Sequence, residues 1–372
     1  MKLTIERAAL LSALSHVQSV VERRNTIPIL ANVLLEAADD GLSLTATDMD
    51  IAIVEKVTAS VGTTGSTTVP AHTIYDIVRK LPDGAQVELD NAGDGDQLQL
   101  MAGRSRFTLQ TLPTADFPVM TGGDMPYEFS MPAEELKGVI DRTRFAISTE
   151  ETRYYLNGIY LHAKEADSQP VLRAVATDGH RLARMEIALP SGANGMPGVI
   201  VPRKTIGELR KLVDEMEGDV EIALSETKVR FSLGGAVLTS KLIDGTFPDY
   251  ERVIPEGNDK LLTIECGQFA DAVDRVATIS TEKSRAVKLN IEQNALTLSA
   301  SSPDSGTATE ELPVEYDKDG IEIGFNSRYL LDIANQIGAG TAEFAMADAA
   351  SPTIVRDVAD TRALYVLMPM RV

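Results

Sequence analysis

The protein has 372 residues, of which 44% are hydrophobic, and a formal net charge of -20 at pH 7. This length allows two or three domains with buried cores, and the acidic balance excludes a general attraction to nucleic acid without excluding a local basic surface. A single cysteine, Cys266, excludes an intrachain disulfide and is typical of a small buried hydrophobic residue in a reducing compartment.

The first residues, "MKLTIERAALL", lack the long apolar segment and the small-residue cleavage site of a secretory signal. No apolar run approaches the roughly 18 residues that a membrane-spanning helix needs. We therefore expect a cytoplasmic protein without a membrane partner.

Three stretches begin in the same way, with a short alternating strand, a polar break and a run of helical spacing. They are "KLTIERAALLSALSHVQSVV" from Lys2, "EFSMPAEELKGVIDRTRFAIS" from Glu128 and "LLTIECGQFADAVDRVATIS" from Leu261. In the second stretch, Leu136, Val139 and Ile140 fall on one face of a helix. The shared start indicates an internal repeat.

The elements that follow recur in the same order. A strand, a turn rich in Asp, Ser or Gly, and another strand form "LSLTATDMDIAIVEKV", "LRAVATDGHRLARMEI" and "LTLSASSPDSGTATEEL". A strand, a helix and further strands complete each copy, with Pro70 and Pro202 at the helix entrance in two of them. The pattern predicts an α+β fold of three tandem domains, each with two helices against antiparallel sheets. We place these domains at residues 1–125, 126–255 and 256–372.

The stretch "ATDGHRLA" combines an Asp, a Gly, a His and an Arg between two strands. The first copy reads "TDMD" at the same place, so we interpret Asp178 as a turn residue of the fold. The other histidines show no metal-ligand spacing, and neither a phosphate loop nor a nucleophile elbow is found. These patterns favour a protein that is not an enzyme and has no metal and no cofactor. A DNA-acting hydrolase that uses His180 and Asp178 is the alternative.

Several motifs in the chain are similar to those of one family. They are "RNTIPIL", "GRSRFTLQTLPTADFP", "RYYLNG", "ATDGHRLA", "VPRK", "FPDYERV" and the final "YVLMPMRV". In this order and spacing, the whole chain resembles the bacterial DNA polymerase sliding clamps, the beta-subunit family of the replicative polymerase. The resemblance implies a head-to-tail homodimeric ring, with helices inside and a continuous sheet outside. Such a ring is a processivity factor that encircles duplex DNA without sequence preference.

The resemblance also implies the partners and the DNA-facing residues. The partners are the replicative DNA polymerase, a clamp loader and other proteins with a clamp-binding motif. Basic residues on the inner helices would meet the phosphates weakly. The candidates are Arg24, Arg79, Lys80, Arg144, Arg203, Lys204, Lys211 and Arg275. An ordinary solvated charge is the alternative interpretation of each.

A dimer joint between an edge strand of the first domain and one of the third is a further implication of the resemblance. Alternation in "SRFTLQTL" puts Phe107 and Leu109 on one face and Arg106 on the other. By resemblance the apolar pair packs against a helix of the third domain, and arginines face an acidic stretch. The joint candidates are Arg104, Arg106, Phe107, Leu109, Thr278, Ile279, Glu310 and Glu311.

In the family, the "ATDGHRLA" turn, "YYLNG", "FPDYERV" and the C-terminal tail form the walls of a pocket between the second and third domains, where short peptides of partner proteins dock. The candidates in this chain are Leu156, Thr177, Gly179, His180, Arg181, Leu182, Pro248, Arg252, Val253, Val366, Met368, Pro369, Met370 and Arg371. Flexible methionines suit a surface that accepts several peptides, and a few polar groups fix their orientation. A three-domain adhesion scaffold without DNA is a second alternative class.

Overall fold

The computed structural model describes residues 1–39, 41–91, 96–166, 168–280 and 285–371. These residues form six α-helices and 25 strands. The chain divides into two compact units. The first consists of Met1–Lys137, Pro190–Pro197 and Lys204–Leu242, and the second of Gly138–Leu189, Gly198–Arg203 and Ile243–Val372.

The elements follow one order three times, with one additional strand before the second helix of the first repeat. The first repeat contains β1 (Lys2–Glu6), α1 (Arg7–Val20), β2 (Asn32–Ala38), β3 (Gly41–Thr47), β4 (Ile51–Thr58), β5 (Ser60–Thr63), β6 (Gly65–Pro70), α2 (Ala71–Lys80), β7 (Gln86–Asp90), β8 (Gln97–Ala102) and β9 (Ser105–Gln110). The second contains β10 (Tyr127–Pro132), α3 (Ala133–Arg144), β11 (Gly158–Ala166), β12 (Gln169–Thr177), β13 (Arg181–Ala188), β14 (Val199–Pro202), α4 (Arg203–Asp214), β15 (Asp219–Leu224), β16 (Lys228–Leu233) and β17 (Ala236–Lys241). The third contains β18 (Lys260–Glu265), α5 (Cys266–Ala277), β19 (Ala286–Glu292), β20 (Ala295–Ser302), β21 (Gly306–Pro313), β22 (Ile321–Asn326), α6 (Ser327–Ile337), β23 (Thr341–Met346), β24 (Thr353–Asp357) and β25 (Ala363–Leu367).

Helix α5 illustrates how the sequence specifies these elements. Glu265 caps its N-terminus, because the carboxylate accepts hydrogen bonds from the backbone N–H groups of Gly267 and Gln268 at 2.9 and 2.6 Å. Phe269, Val273 and the residues that share their face are buried, as the 3.6-residue period requires. Since one stripe of the helix is apolar, it packs on a sheet and leaves its opposite face polar.

The first unit contains two antiparallel sheets. One has the strand order β5-β1-β7-β8-β9. The other has the order β10-β15-β16-β17-β4-β3-β2-β6, so that β17 of the second repeat pairs with β4 of the first. The sheet is therefore continuous across the joint between the two repeats.

The second unit repeats this construction. Its larger sheet has the order β14-β11-β12-β13-β25-β24-β23-β18, in which β13 of the second repeat pairs with β25 of the third. Its smaller sheet has the order β21-β20-β19-β22. In the part of the chain that the structure describes, β9 and β21 each end a sheet, whereas the corresponding strands of the other repeats are paired.

The structure confirms the predicted α+β fold of three tandem copies, each with two helices and antiparallel sheets. The domain boundaries at 125 and 255 stay predictions, because the two compact units each contain a terminal repeat and part of the central one. Each helix within the described ranges is too short or too polar to cross a membrane.

Candidate functional site

An apolar cluster lies on one face of the larger sheet of the second unit. Its buried members are Leu156, Val175, Leu182, Ile200, Phe247, Tyr250, Ala345, Ile354, Leu364 and Val366. The opposite face of the same sheet packs on α5 and α6, where the rings of Phe344 and Phe269 lie 5.3 Å apart. The cluster therefore occupies the face that these two helices leave uncovered.

The sequence predicted three members of this cluster and missed the others. Leu156, Leu182 and Val366 were among the candidates. Phe247 and Tyr250 lie in the quoted motif "FPDYERV" but were not among the candidates, and the others come from distant strands that no local motif connects. The two-residue alternation was the available signal for Val175, which lies across from Tyr160 in the register of β12 and β11.

Exposed apolar side chains border the cluster. Val253 is 48% exposed and Met368 41%, and Tyr154 beside Leu156 is likewise exposed. Of the other wall candidates, Pro248, Arg252 and Arg371 are exposed, and Pro369 and Met370 are half-buried. An apolar floor with exposed apolar and polar walls suits a short peptide better than a small polar substrate.

The C-terminal tail is held in place by its backbone. Met368 N–H donates to the carbonyl of His180 at 2.9 Å, and Met370 N–H donates to the carbonyl of Gly324 at 2.8 Å. These two bonds connect the tail to the turn before β13 and to strand β22. Because side chains alternate along a strand, Met368 continues the face of Val366, which is a member of the cluster.

The turn "TDGH" is a hydrogen-bonded frame, as the interpretation of Asp178 requires. Asp178 Oδ1 accepts from the N–H groups of His180 and Arg181 at 2.9 and 3.0 Å, and Thr177 Oγ1 accepts from Gly179 N–H at 3.1 Å. Asp48 and Thr47 make the same bonds in the first repeat. The frame therefore belongs to the fold.

Position 179 needs a left-handed backbone, with φ of +87° at Gly179. A Cβ atom there would lie 2.5 Å from the guanidinium of Arg153. Met49 adopts a similar φ of +79° at the same place in the first repeat, so the left-handed turn is common to both repeats. Glycine at position 179 avoids the strain of this conformation and leaves space for the side chain of Arg153.

The side chains of His180 and Arg181 lie apart from the apolar cluster. They line a second cavity of about 370 Å³, together with Asp178, Arg328 and Tyr329 among others. Arg181 is 8% exposed. It donates to Asp178 at 3.1 Å, to Asp332 at 2.5 Å and to the carbonyl of Phe145 at 2.6 Å.

These placements separate the polar candidates by role. The guanidinium of Arg181 also lies 4.3 Å from the ring centroid of Tyr329, and the His180 ring stacks on that tyrosine at 6.5 Å. The hydrogen bonds of Arg181 thus connect the turn before β13 to helix α6 and to the end of α3. Its contribution to the cleft is support of the turn rather than a free polar group.

Most basic candidates for DNA contact are on or beside helices and form ion pairs. Arg79 pairs with Asp76, Arg144 with Asp141, Lys211 with Glu208, Arg275 with Glu310, and Lys204 with both Glu22 and Asp48. Arg24, Lys80 and Arg203 are exposed. In each pair at least one of the two side chains is exposed to solvent, so each remains a weak and exchangeable interaction.

The joint candidates lie on two edge strands and one helix end. On β9, Leu109 is buried and Phe107 half-buried, while Arg104 and Arg106 are exposed. Thr278 is exposed and Ile279 half-buried directly after α5, and Glu310 and Glu311 lie on β21. The predicted alternation of "SRFTLQTL" is confirmed by the burial pattern.

A tandem array of three such repeats, joined edge to edge through continuous sheets, defines a protein of the DNA-clamp class. Three family models of the DNA polymerase III beta subunit match the chain: the N-terminal domain at residues 1–121, the central domain at 130–249 and the C-terminal domain at 251–371. The chain belongs to the DNA polymerase III beta subunit family.

Individual relatives are similar to this chain over their full length. The beta sliding clamp of Caulobacter vibrioides is 58% identical, and that of Escherichia coli is 39% identical, each with 100% of both chains covered. A crystal structure of the C. crescentus beta sliding clamp, with polyethylene glycol in the region assigned to beta-motif tethering, has a TM-score of 0.98 at 57% identity and covers 100% of this chain and 99% of that one. A Bartonella birtlesii sliding clamp bound to griselimycin has a TM-score of 0.97 at 52% identity, with both chains fully covered.

Family membership makes the chain a sliding clamp of DNA replication, a processivity factor and not an enzyme. The hydrolase alternative is not supported. Asp178 has its carboxylate occupied by the turn and by Arg181, and the described ranges contain no cluster of His, Cys, Asp and Glu that could hold a metal ion.

Proposed function

We propose that two copies of this chain form a head-to-tail ring around duplex DNA in the cytoplasm, with domains at residues 1–125, 126–255 and 256–372 in each copy. The ring tethers the replicative polymerase, the clamp loader and other partner proteins through a peptide cleft. The observation that carries the proposal is that the two joints within the chain share one strand register, and that the two remaining edge strands are complementary to it.

The shared register is visible residue by residue. Ile51 of β4 lies across from Ser240 of β17, and Ile53 lies across from Leu238. At the other joint, Arg181 of β13 lies across from Leu367 of β25, and Ala183 lies across from Tyr365. Ile51 follows the turn residue Thr47 by four positions, and Arg181 follows Thr177 by four positions. Equivalent residues of the repeats are therefore paired at the two joints.

One rule then gives the register of a joint between two chains: residues at equivalent positions of the repeats pair in the same way. Gly306 follows the turn residue Ser302 by four positions, and Ser105 follows a two-residue hairpin turn, as Ala236 does in β17. The rule then puts Leu109 of one chain across from Gly306 of the other. The further pairs are Thr108 with Thr307, Phe107 with Ala308, Arg106 with Thr309 and Ser105 with Glu310.

Side-chain chemistry supports this register. Arg106 and Glu311 become diagonal neighbours on the exposed face of the joined strands, which is favourable for opposite charges. An exposed edge strand is an aggregation hazard unless it is paired, so a specific partner for β9 and β21 removes a liability from both. Because a head-to-tail contact closes when its rotations complete a turn, two chains of three similar domains can form a closed ring.

Disulfide crosslinking tests the register directly. In a Thr108→Cys/Thr307→Cys chain, the two Cβ atoms would lie about 4.5–5.5 Å apart across the joint, close to disulfide distance. Mild oxidation should give a covalent dimer on a non-reducing gel. The matched control, Thr108→Cys/Thr309→Cys, places the cysteines on a diagonal about 7–8 Å apart and should stay mostly monomeric on the gel. Equal crosslinking of both would show that the register is wrong, and the buried Cys266 does not interfere.

A closed ring is retained on DNA by topology, because the weak phosphate contacts of the basic helix residues carry no sequence information. The overall negative charge limits adhesion of the outer surface to DNA. Protein loaded by a clamp loader onto nicked circular DNA should stay bound at moderate salt and be lost once the circle is cut. Equal retention on circular and linear DNA would contradict the ring, and absence from both would favour an adhesion scaffold.

The peptide cleft is the apolar cluster with its border of Val253 and Met368. Deletion of residues 368–372 should abolish binding of a labelled peptide that carries a Gln followed by Leu and Phe, while the dimer persists. Met368→Ala should weaken the peptide more than His180→Ala. The His180 ring lies on Tyr329 in the second cavity, and a peripheral polar contact contributes only about 0.5–1.5 kcal/mol. Fluorescence anisotropy that gave the reverse order would count against this cleft.

A further inference from the structure

The short 3-10 helix Tyr250–Val253 forms one side of the apolar cluster. It contributes the buried ring of Tyr250 to the cluster and presents Val253 and Arg252 to solvent. No side chain caps its N-terminus, and only one turn of backbone hydrogen bonding closes it, through Ile254 N–H. Four residues cannot hold such a position by themselves, because an isolated helical turn is unstable in water.

A buried arginine fastens this turn to the sheet. Arg173 of β12 is 7% exposed. Its guanidinium donates to the hydroxyl of Tyr250 at 3.1 Å and to Glu251 at 2.6 Å, and on its other side to Glu186 at 2.5 Å. Lys164 also binds Glu251. Bonds in which a group is ionised are roughly twice as strong as neutral ones.

A second chain of contacts begins at the same hydroxyl. Since Tyr250 accepts from Arg173, its own hydrogen is directed to His162 Nε2, 3.0 Å away. Burial lowers the pKa of His162, so the ring is neutral and able to accept. Tyr160 stacks between His162 and Phe247, with ring centroids 4.7 and 4.8 Å away.

The alternation of the sheet explains why these groups meet. His162 lies across from Arg173, as Tyr160 lies across from Val175, so all four project from the face that carries the apolar cluster. One end of this face is therefore apolar, and the other end is a charged network. The 3-10 turn bridges the two, because Tyr250 contributes its ring to the first and its hydroxyl to the second.

We infer that Arg173 is a positioning residue for the peptide cleft: it fixes the Tyr250–Val253 turn so that the wall of the cleft exists before a peptide arrives. The inference rests on the proposed peptide-binding function. A preformed wall raises affinity because the peptide does not have to order it. Arg173 itself does not contact the peptide and acts only through Tyr250 and Glu251.

Arg184 on the neighbouring strand provides a matched control. Its Nε lies 3.2 Å from the same Glu186, and its side chain is also largely buried. Its loss removes one buried arginine from the same network but leaves the bonds from Arg173 to Tyr250 and Glu251 intact. A general effect of deleting a buried charge from this network would therefore appear in both variants.

The experiment measures binding of the labelled Gln-Leu-Phe peptide to the full-length chain by fluorescence anisotropy. Arg173→Gln should weaken binding by roughly tenfold, the equivalent of one lost charge-assisted hydrogen bond, whereas Arg184→Gln should stay within about twofold. Arg173→Lys keeps one of the donor groups and should recover part of the loss. The effect of Arg173→Gln should shrink by more than half in a Glu251→Gln background, which a purely structural role would not produce.

Several outcomes would overturn the inference. If the original chain binds the peptide and Arg173→Gln binds it equally well, Arg173 has no positioning role. Equal losses in the Arg173 and Arg184 variants would have the same meaning. Should Arg173→Gln fail to fold, Tyr250→Phe removes only the shared hydroxyl, and unchanged affinity in that variant would also refute the role. If the original chain does not bind the peptide at all, the cleft itself is refuted, which is a distinguishable result.

Discussion

His16 on α1 provides a test of the charged contact between α1 and β4. Its Nδ1 lies 2.7 Å from Oε2 of Glu55 on β4, and its Nε2 lies 3.2 Å from Oε2 of Glu215 after α4. The second approach has the distance of an ion pair but not the direction of a hydrogen bond. The hydrogen bond to Glu55 and the charges of both glutamates outweigh burial and raise the pKa of His16 above 6.5. We expect His16→Gln to destabilise the chain in a pH-dependent way.

The size of the effect follows from burial. The side chains of His16 and Glu55 are each 11% exposed, whereas Glu215 is 62% exposed. The bond to Glu55 is therefore worth about 1.5–3 kcal/mol, as for hydrogen bonds to charged groups, and the exposed pair adds little. For a unit of this size that corresponds to a melting temperature lowered by roughly 3–12 °C.

The pH dependence has a definite sign. Because the folded-state pKa is raised, the stabilisation is complete below the unfolded pKa of 6.5 and is lost as pH rises through the folded value. Calorimetry should show the largest gap in melting temperature between the original chain and His16→Gln below pH 6.5, and a smaller gap at alkaline pH. His16→Arg is the control, since arginine keeps a charge at every pH and occupies the equivalent place as Arg142 in the second repeat. A gap that is constant between pH 5.5 and pH 9 would refute the reasoning.

Three further expectations concern single positions. Gly158→Ala should lower the free energy of unfolding by on the order of 1–3 kcal/mol and the melting temperature by several degrees. The reason is that the new Cβ would lie 2.3 Å from a carbonyl oxygen of β14. Burial raises the pKa of the Cys266 thiol to about 11, so a thiol reagent at pH 8 should label the protein only after denaturation, and rapid native labelling would contradict this. Hydrogen bonds from Arg362 and then Arg142 hold the pKa of Asp360 well below its usual range. The destabilisation by Asp360→Asn should therefore be complete above the unfolded pKa of 3.8 and shrink as the pH falls from there toward the lower folded value. A difference at pH 2 as large as that at pH 7 would exclude this ion-pair role.

The repeat order and the turn chemistry were accessible from the sequence, because both are local. Strand alternation, helical spacing and the Asp178 turn depend on residues within a few positions of one another. The pairing of β13 with β25 was not accessible in this way, since the two strands are far apart in the chain and neither carries a signal for the other. The apolar cluster depends on that pairing, which is why most of its members escaped prediction.

The charged residues show a second limit of sequence reasoning. A pattern indicates that Arg181 and Arg173 are basic, but it does not indicate which acceptors surround them. Arg181 was expected to orient a ligand and is instead bound to Asp332 and the carbonyl of Phe145. Arg173 was not among the candidates, although it lies two positions before Val175 in a predicted strand, which already placed both side chains on one face of the sheet.

At each internal joint a basic residue binds the carboxylate of the turn aspartate, but the two basic residues lie at very different distances along the chain. This difference affects when each ion pair can form during translation. Asp178 is bound by Arg181, three positions later, so its ion pair is available as soon as that hairpin leaves the ribosome. Asp48 is bound by Lys204, 156 positions later. A nascent chain that ends before residue 204 therefore lacks this partner for Asp48. The first repeat receives that contact only after the second repeat has been translated up to the start of its second helix.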